Sequence, residues 1–318
     1  MPLVTDLTPL LFPCQTTTIF LYTAAMHQVT AFYKFVPLSE SEIDQIRQDL
    51  FDFGNDLDMG GLTIVGSEGV NGTVAGSASA IRKWKQKIEA IVGEVTFKDS
   101  QADEQPFKRW FVKVRPEIVS LGDTQIVPDG KNNHISPEEW DAMIDEGDVV
   151  ILDTRNDYET EIGIFEGAVD PKLHCFQEFP EYVKTCDIPK DKKVLMYCTG
   201  GIRCEKASME MQRQGYTNVF QLDGGILRYM AERPQKKWKG ECFVFDHRVA
   251  VAQDLKPSRR YGLCPHCGDP GDQNIDCIQC KNPGVMCVRC LESMESPTCS
   301  KNCAYCRNRD LQKAAQVH

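Results

Sequence analysis

One segment limits what this chain can become more than any other: Lys193-Val194-Leu195-Met196-Tyr197 running directly into Cys198-Thr199-Gly200-Gly201-Ile202-Arg203. A short continuous apolar run is the mark of a strand buried on both faces, as in parallel sheets. Cys198 stands at its carboxyl end, and a helical pattern follows from about Cys204 to Gln214, stopping at Gly215. Strand end, turn and helix start together aim several backbone N–H groups at one point, a cradle for a thiolate or for an anion bound to it. Such a cradle lowers a cysteine pKa from about 8.5 toward or below neutrality. Arg203 closes the loop with fixed positive charge, and Gly200 and Gly201 let the backbone curl without Cβ clashes. A buried cysteine that merely follows a strand does not need all three features.

The flanking sequence supplies the rest of an open α/β sheet between about Ile135 and Met230. Ser136-Pro137-Glu138-Glu139 is an N-cap with proline at the first helical position. Val149-Val150-Ile151-Leu152 is another buried strand, followed by Asp153-Thr154-Arg155. Val219-Phe220-Gln221-Leu222 leads into Asp223-Gly224-Gly225. Ligands in such sheets bind at the carboxyl ends of the strands. The spacing C-x4-R is one residue shorter than the phosphate-binding C-x5-R loop of cysteine phosphatases. It is similar to that of rhodaneses, whose loop fits one extra sulfur atom, so phosphatase activity is not expected. Cys204 is placed either to resolve an oxidised Cys198 as a disulfide or simply to pack at the helix start.

Ahead of this sheet the pattern from Val29 reads βαββαβ, the order of a ferredoxin-like (acylphosphatase-like) split sandwich. Val29–Val36 is β-rich and ends at Pro37. Ser39 with Glu42 forms a capping box for a helix through about Leu57. Gly61–Gly66 and Thr73–Ala75 are expected to pair through an Asn71-Gly72 turn. A helix over Ser77–Val92 carries Ile81, Trp84, Ile88 and Ile91 on one face, and Phe107–Val114 is expected as the closing strand. Gly66, Gly69 and Gly72 read as turn chemistry rather than a nucleotide loop, because the spacing G-x-x-G-x-x-G fails the dinucleotide fingerprint. Lys108, Arg109, Lys113 and Arg115 around Trp110 and Phe111 suit equally a phosphate-contacting strand or a solvated sheet edge.

Nine of the 15 cysteines of this 318-residue chain lie between Cys264 and Cys306. Cys264/Cys267, Cys277/Cys280, Cys287/Cys290 and Cys303/Cys306 are C-x-x-C pairs, with Cys299 left over. Each pair is half of a tetrahedral all-thiolate zinc site, so structural zinc in a reducing compartment is expected over a disulfide framework. Spacing leaves the pairing open. Residues 120–230 carry 11 Lys+Arg against 21 Asp+Glu, and residues 231–318 carry 14 against 10. Two zinc ions on eight thiolates would cancel the tail's excess, so a basic face there is local, with Arg259-Arg260 beside Tyr261 the best patch. No stretch of about 18 apolar residues exists, so no membrane partner is expected. No charged region precedes the early apolar residues, so residues 1–26 are expected to be a disordered leader, with Met26 a candidate start, on a cytoplasmic protein.

Four segments, taken with the tail, resemble the rhodanese-domain tRNA uridine hydroxylases. They are Ser67–Thr73 (SEGVNGT), Asp153–Glu159 (DTRNDYE), Tyr197–Glu205 (YCTGGIRCE) and Leu222–Ile226 (LDGGI), joined by Val244–Val251 (VFDHRVAV) and the cysteine-rich end. The resemblance implies four regions: the leader 1–26, a ferredoxin-like domain over 27–120, a rhodanese domain over 121–232 and a cysteine-rich module over 233–318. It further implies oxygen-dependent 5-hydroxylation of the wobble uridine, with molecular oxygen as co-substrate and no flavin or haem pattern evident. Cys198 would be the catalytic cysteine, as persulfide carrier or nucleophile, with Arg203 supporting the loop anion. The basic strand and the tail would hold the anticodon arm. The main alternative is a sulfurtransferase passing sulfane sulfur through a Cys198 persulfide, with a sulfur-donor protein as partner. A zinc-stabilised RNA- or protein-binding adaptor is a third reading, which the intact Cys198 and Arg203 weigh against.

Overall fold

A computed structural model describes residues 26–315; apart from Met26, the expected leader lies outside them. The first module contains β1 (His27–Phe35), α1 (Glu40–Asp56), β2 (Gly60–Gly66), β3 (Gly69–Gly76), α2 (Ala78–Val92), β4 (Lys98–Ala102) and β5 (Trp110–Val114). The Ser39 N–H donates to Glu42 at 2.8 Å, which starts α1 where the capping box places it. Helix α2 buries Ile81, Trp84, Ile88 and Val92, a spacing that keeps them on one face against Phe32, Leu50 and Val74 of the core. The sheet order is β4-β1-β3-β2-β5.

Two strand expectations need correction. The reversal between β2 and β3 is Ser67-Glu68, with Gly66 paired to Gly69, and Asn71-Gly72 lies inside β3 opposite Ile64 and Thr63. Gly69 adopts φ +134°, where a Cβ would sit 2.0 Å from the Lys34 carbonyl oxygen, so only glycine closes this turn. The second correction concerns the closing strand. Lys98–Ala102 fills that place, antiparallel to β1, whereas Trp110–Val114 is an added edge strand parallel to β2.

The central module contains β6 (His134–Ile135), α3 (Pro137–Glu146), β7 (Val149–Asp153), α4 (Asp157–Thr160), β8 (Gly163–Phe165), α5 (Phe179–Thr185), β9 (Lys193–Tyr197), α6 (Ile202–Arg213), β10 (Val219–Leu222) and α7 (Gly225–Glu232). Its parallel sheet runs β6-β10-β9-β7. Alternate residues of β9 face opposite layers: Val194 and Met196 pack with Phe179 of α5 and Ala207 and Met211 of α6, while Leu195 and Tyr197 pack with Trp140 of α3 and Ile226 and Tyr229 of α7. This is the open α/β arrangement expected from the sequence, with the Cys198 loop at the carboxyl end of strand β9.

The C-terminal module attaches through β11 (Trp238–Gly240), antiparallel to β8, so that Trp238 joins the core around Phe165 and Tyr197. A small hairpin of β12 (Cys242–Phe243) and β13 (Ala250–Val251) follows. Then come the two-stranded pairs β14 (Gly262–Leu263) with β15 (Pro270–Gly271) and β16 (Gln273–Asp276) with β17 (Pro283–Met286). Helices α8 (Val288–Ser293) and α9 (Lys301–Ala315) end the described chain. Among the described residues no helix is long and apolar enough to cross a membrane.

Candidate active site

The loop between β9 and α6 curls around the sulfur of Cys198. Gly201, at φ +100°, precedes α6, and its N–H donates to Cys198 Sγ at 3.1 Å. The loop carbonyls turn the other way: Cys198 O accepts from the Ile226 N–H at 3.0 Å and Thr199 O from the Leu227 N–H at 3.1 Å. Helix α7 therefore satisfies the acceptors and leaves the donors to the sulfur. The approach requires Gly225, because a Cβ there would lie 2.5 Å from Cys198 O. The Asp223-Gly224-Gly225 turn read from the sequence is thus the clamp on the reactive loop.

A chain of buried charges fixes the surroundings. Arg155, fully buried, donates to Asp153 at 2.7 Å and to the Gly163 carbonyl. Arg203 donates to Glu159 at 2.7 Å, and Thr199 Oγ1 donates to the same carboxylate. Burial raises the pKa of Cys198, but the Cys204 thiol, the Arg203 charge and the Arg203 and Gly201 N–H groups outweigh it and bring the pKa down to about 5. Burial and the neighbouring Cys198 push Cys204 well up, while its sulfur lies 3.5 Å from Thr154 Oγ1. One sulfur is therefore a thiolate at neutral pH and the other a thiol beside it.

Above Cys198 opens a cavity of about 440 Å3 whose walls come from all three modules. The ferredoxin-like sheet contributes Tyr33, Leu62, Asn71 and Lys98, the central module Phe176 and the loop itself, and the C-terminal hairpin Phe245. Phe245 is 55% exposed, packed edge-on against Phe243 and 5.9 Å from the Arg203 guanidinium. A Cβ on Gly72 would meet Phe32 and Leu62 at 2.9 Å, so this glycine serves close packing at the cavity wall rather than a turn.

Helix α6 holds the modules together. The Tyr33 hydroxyl donates to Glu205 at 3.0 Å, and Glu205 also receives Asn132 and His134. Lys206, fully buried, pairs with Glu68 at 2.9 Å and Glu117 at 2.7 Å. From the other side Arg248, paired with Asp246, donates to Ser100 Oγ and Gln101 O of β4. The segments Ser67–Thr73 and Val244–Val251 thus act as docking elements.

The basic strand divides between the two readings given for it. Trp110 is a core residue: its Nε1 donates to Phe51 O at 2.9 Å and its ring meets Trp84 edge-on, so it is no platform for a base. Phe111 and Lys113 pair in register with Leu62 and Ile64, two cavity residues, and share their side of the sheet. Lys108 and Arg109 just before this strand, and Arg115 just after it, are exposed. Arg260 is tied to Asp272 at 2.7 Å and lies over Tyr261, and Arg259 is exposed.

Eight cysteines gather in two sets able to hold a metal ion: Cys264, Cys267, Cys287 and Cys290, and Cys277, Cys280, Cys299 and Cys303. Within each set all four Sγ atoms lie within 4.8 Å of one another, which suits tetrahedral thiolate ligation. Further thiolate donors fit too, since the Asp269 and Cys290 N–H groups point at Cys267 and Cys287 sulfur at 3.4 Å. Cys306, expected as a ligand from its C-x-x-C spacing, lies outside both sets. Cys299, expected to be left over, takes its place. One turn of α9 separates Cys303 from Cys306, and only the first faces Cys299, at 3.8 Å.

Tyr33, Lys98 and Phe245 are the site residues that the sequence did not single out. Residues 27–118 match the UPF0176 acylphosphatase like domain, residues 136–232 the Rhodanese-like domain and residues 239–304 the Rhodanase C-terminal family. A tRNA uridine(34) hydroxylase of Bdellovibrio bacteriovorus is 48% identical over 285 residues, covering 88% of this chain and 81% of that protein. One from Picosynechococcus sp. is 39% identical, covering 91% of this chain and 98% of that protein. One from Synechocystis sp. is 45% identical, covering 77% and 89%.

Proposed function

Because this chain belongs to the tRNA uridine(34) hydroxylase family, we propose that it hydroxylates C5 of uridine 34, the wobble base of tRNA, with Cys198 as the reacting group and molecular oxygen as co-substrate. The observation that carries this reading is a cysteine sulfur, cradled by the Gly201 N–H and favoured as thiolate by Arg203, on the floor of a cavity large enough for one nucleoside. RNA loops are read through splayed bases stacked on aromatic side chains, and Phe245 offers an exposed ring at the cavity wall. Phe111, Lys113 and the exposed cations that flank β5 continue that surface toward the neighbouring phosphates of the anticodon arm.

Hydroxylation exchanges C5–H for C5–OH, a two-electron oxidation. Uracil C5 attacks an electrophilic oxygen only when its ring is electron-rich. Addition of the Cys198 thiolate to C6 achieves this: the S–C6 bond forms and the C5=C6 electron pair shifts toward C5 and O4. C5 takes one oxygen atom of O2, and the other leaves as water with two electrons and two protons from an external thiol reductant. Loss of the C5 proton then breaks the S–C6 bond and restores C5=C6 and Cys198. Arg203 keeps the sulfur anionic, and Cys204 holds a proton beside it. The two cysteine sets would bind structural zinc, which supplies folding free energy to a module poor in large apolar side chains. On this reading the protein works in the cytoplasm, where its tRNA substrate is found.

Nucleoside mass spectrometry of tRNA from cells lacking this protein, complemented with wild type or Cys198→Ser, tests the reading. Wild type restores 5-hydroxyuridine and Cys198→Ser does not. A 5-fluorouridine tRNA is expected to trap the Cys198 adduct. Unchanged 5-hydroxyuridine in the deletion strain, with other hydroxylation routes removed, would overturn the proposal. Thiosulfate-to-cyanide sulfur transfer by the purified protein would then identify a sulfurtransferase, served by a sulfur-donor protein.

A further inference from the structure

We propose that Lys98 reads the substrate base, its ammonium donating a hydrogen bond to O4 of the uracil ring that lies over Cys198. The inference rests on the uridine reading above and assigns a residue to it. Lys98 belongs to β4, a short polar strand at the edge of its sheet. Edge lysines ordinarily reach into water. This one turns inward, is 8% exposed and lines the cavity with Cys198.

A buried lysine is normally paired with a carboxylate. Lys206 is, twice over. Among the described residues no carboxylate oxygen lies within 4.0 Å of Lys98 Nζ; the nitrogen sits 4.3 Å from the centre of the Tyr33 ring. Its three donors are therefore uncommitted, and the Tyr33 ring holds the charge in place without consuming them. The charged and titratable groups facing it are Tyr33 of β1, the Cys198 loop, Glu205 of α6, Asp223 just before α7 and Arg228 within it, and, around a second cavity that Lys98 also lines, Lys34, Glu94, Asp129 and His134. Burial lowers the Lys98 pKa to about 8 against the pull of Asp223, Cys198 and Glu205.

An ammonium only donates. Uracil presents an acceptor, O4, where cytosine presents an amino donor, so Lys98 attracts the first base and repels the second. The same contact acts during the reaction. When the thiolate adds to C6, the displaced electron pair places negative charge on O4, and a pre-positioned cation there stabilises it.

The test uses the full-length protein and tRNAs differing only in U34 or C34. Wild type is expected to bind the U34 tRNA about tenfold or more tightly than the C34 tRNA. Lys98→Met is expected to remove that preference while retaining affinity from phosphate contacts, and to lower 5-hydroxyuridine in complemented cells by on the order of a hundredfold. The preference of wild type should fade as pH rises through about 8, where the lysine loses its proton, whereas Lys98→Arg keeps it to higher pH. A folded Lys98→Met protein with unchanged base preference and unchanged 5-hydroxyuridine would overturn the assignment. If Lys98→Met does not fold, Lys98→Arg decides by the same pH series: a limb that does not move overturns it. Failure of the uridine reading looks different, since wild type itself would then leave 5-hydroxyuridine unrestored.

Discussion

Arg203 acts on Cys198 through charge and on Glu159 through a paired, fully buried contact. Replacing it with methionine is expected to separate these effects. Iodoacetamide alkylation of Cys198 follows the thiolate fraction, so in wild type the rate should rise through about pH 5 and be flat by neutrality. In Arg203→Met the midpoint moves upward. The same substitution strands Glu159 in the interior and should cost about 3–5 kcal/mol, read by denaturant unfolding. Cys198 and Arg203 were legible because the loop is local: strand, glycines and arginine lie within a few residues. Tyr33, Lys98 and Phe245 carried no such signature. Each reaches the cavity from another module, and what places it is sheet register and docking, which spacing along the chain does not encode.

Helix α6 is buried nearly all round in its first two turns, and its consecutive residues face different partners. Arg203 meets α4, Cys204 lies against Thr154, Glu205 meets β1 and β6, and Lys206 meets the β2–β3 turn and Glu117. Lys206→Met is expected to destabilise the fold by about 3–5 kcal/mol, because two carboxylates lose the buried cation they share; a lowered thermal midpoint checks this. Capping signals made α1 readable at both ends to within a residue or two, and α3 at its start. The strand Lys98–Ala102 was not, since a polar edge strand is defined by its partner β1 rather than by its own periodicity. Asn71-Gly72 misled for a related reason: Gly66 and Gly69 close a shorter turn first, and the strand simply continues through the dipeptide.

At the scale of the molecule, the cysteine sets interleave: the first C-x-x-C pair meets the third, and the second meets Cys299 and Cys303. Spacing identified three of the pairs but could not say which meet, nor that a C-x3-C pair in and before α9 would displace the fourth C-x-x-C one. Elemental analysis is expected to give two zinc ions per chain, one in Cys303→Ser and still two in Cys306→Ser. Docking has a further consequence, seen in the order of synthesis. The ribosome completes the strand, loop and helix that make Cys198 a thiolate before it delivers Phe245 and the Arg248 clasp on β4. A chain folded to that point has the ferredoxin-like wall over Cys198 but not yet the Phe245 side of the chamber. The last hairpin to arrive converts a half-walled thiol into an enzyme that sees only what the finished wall admits.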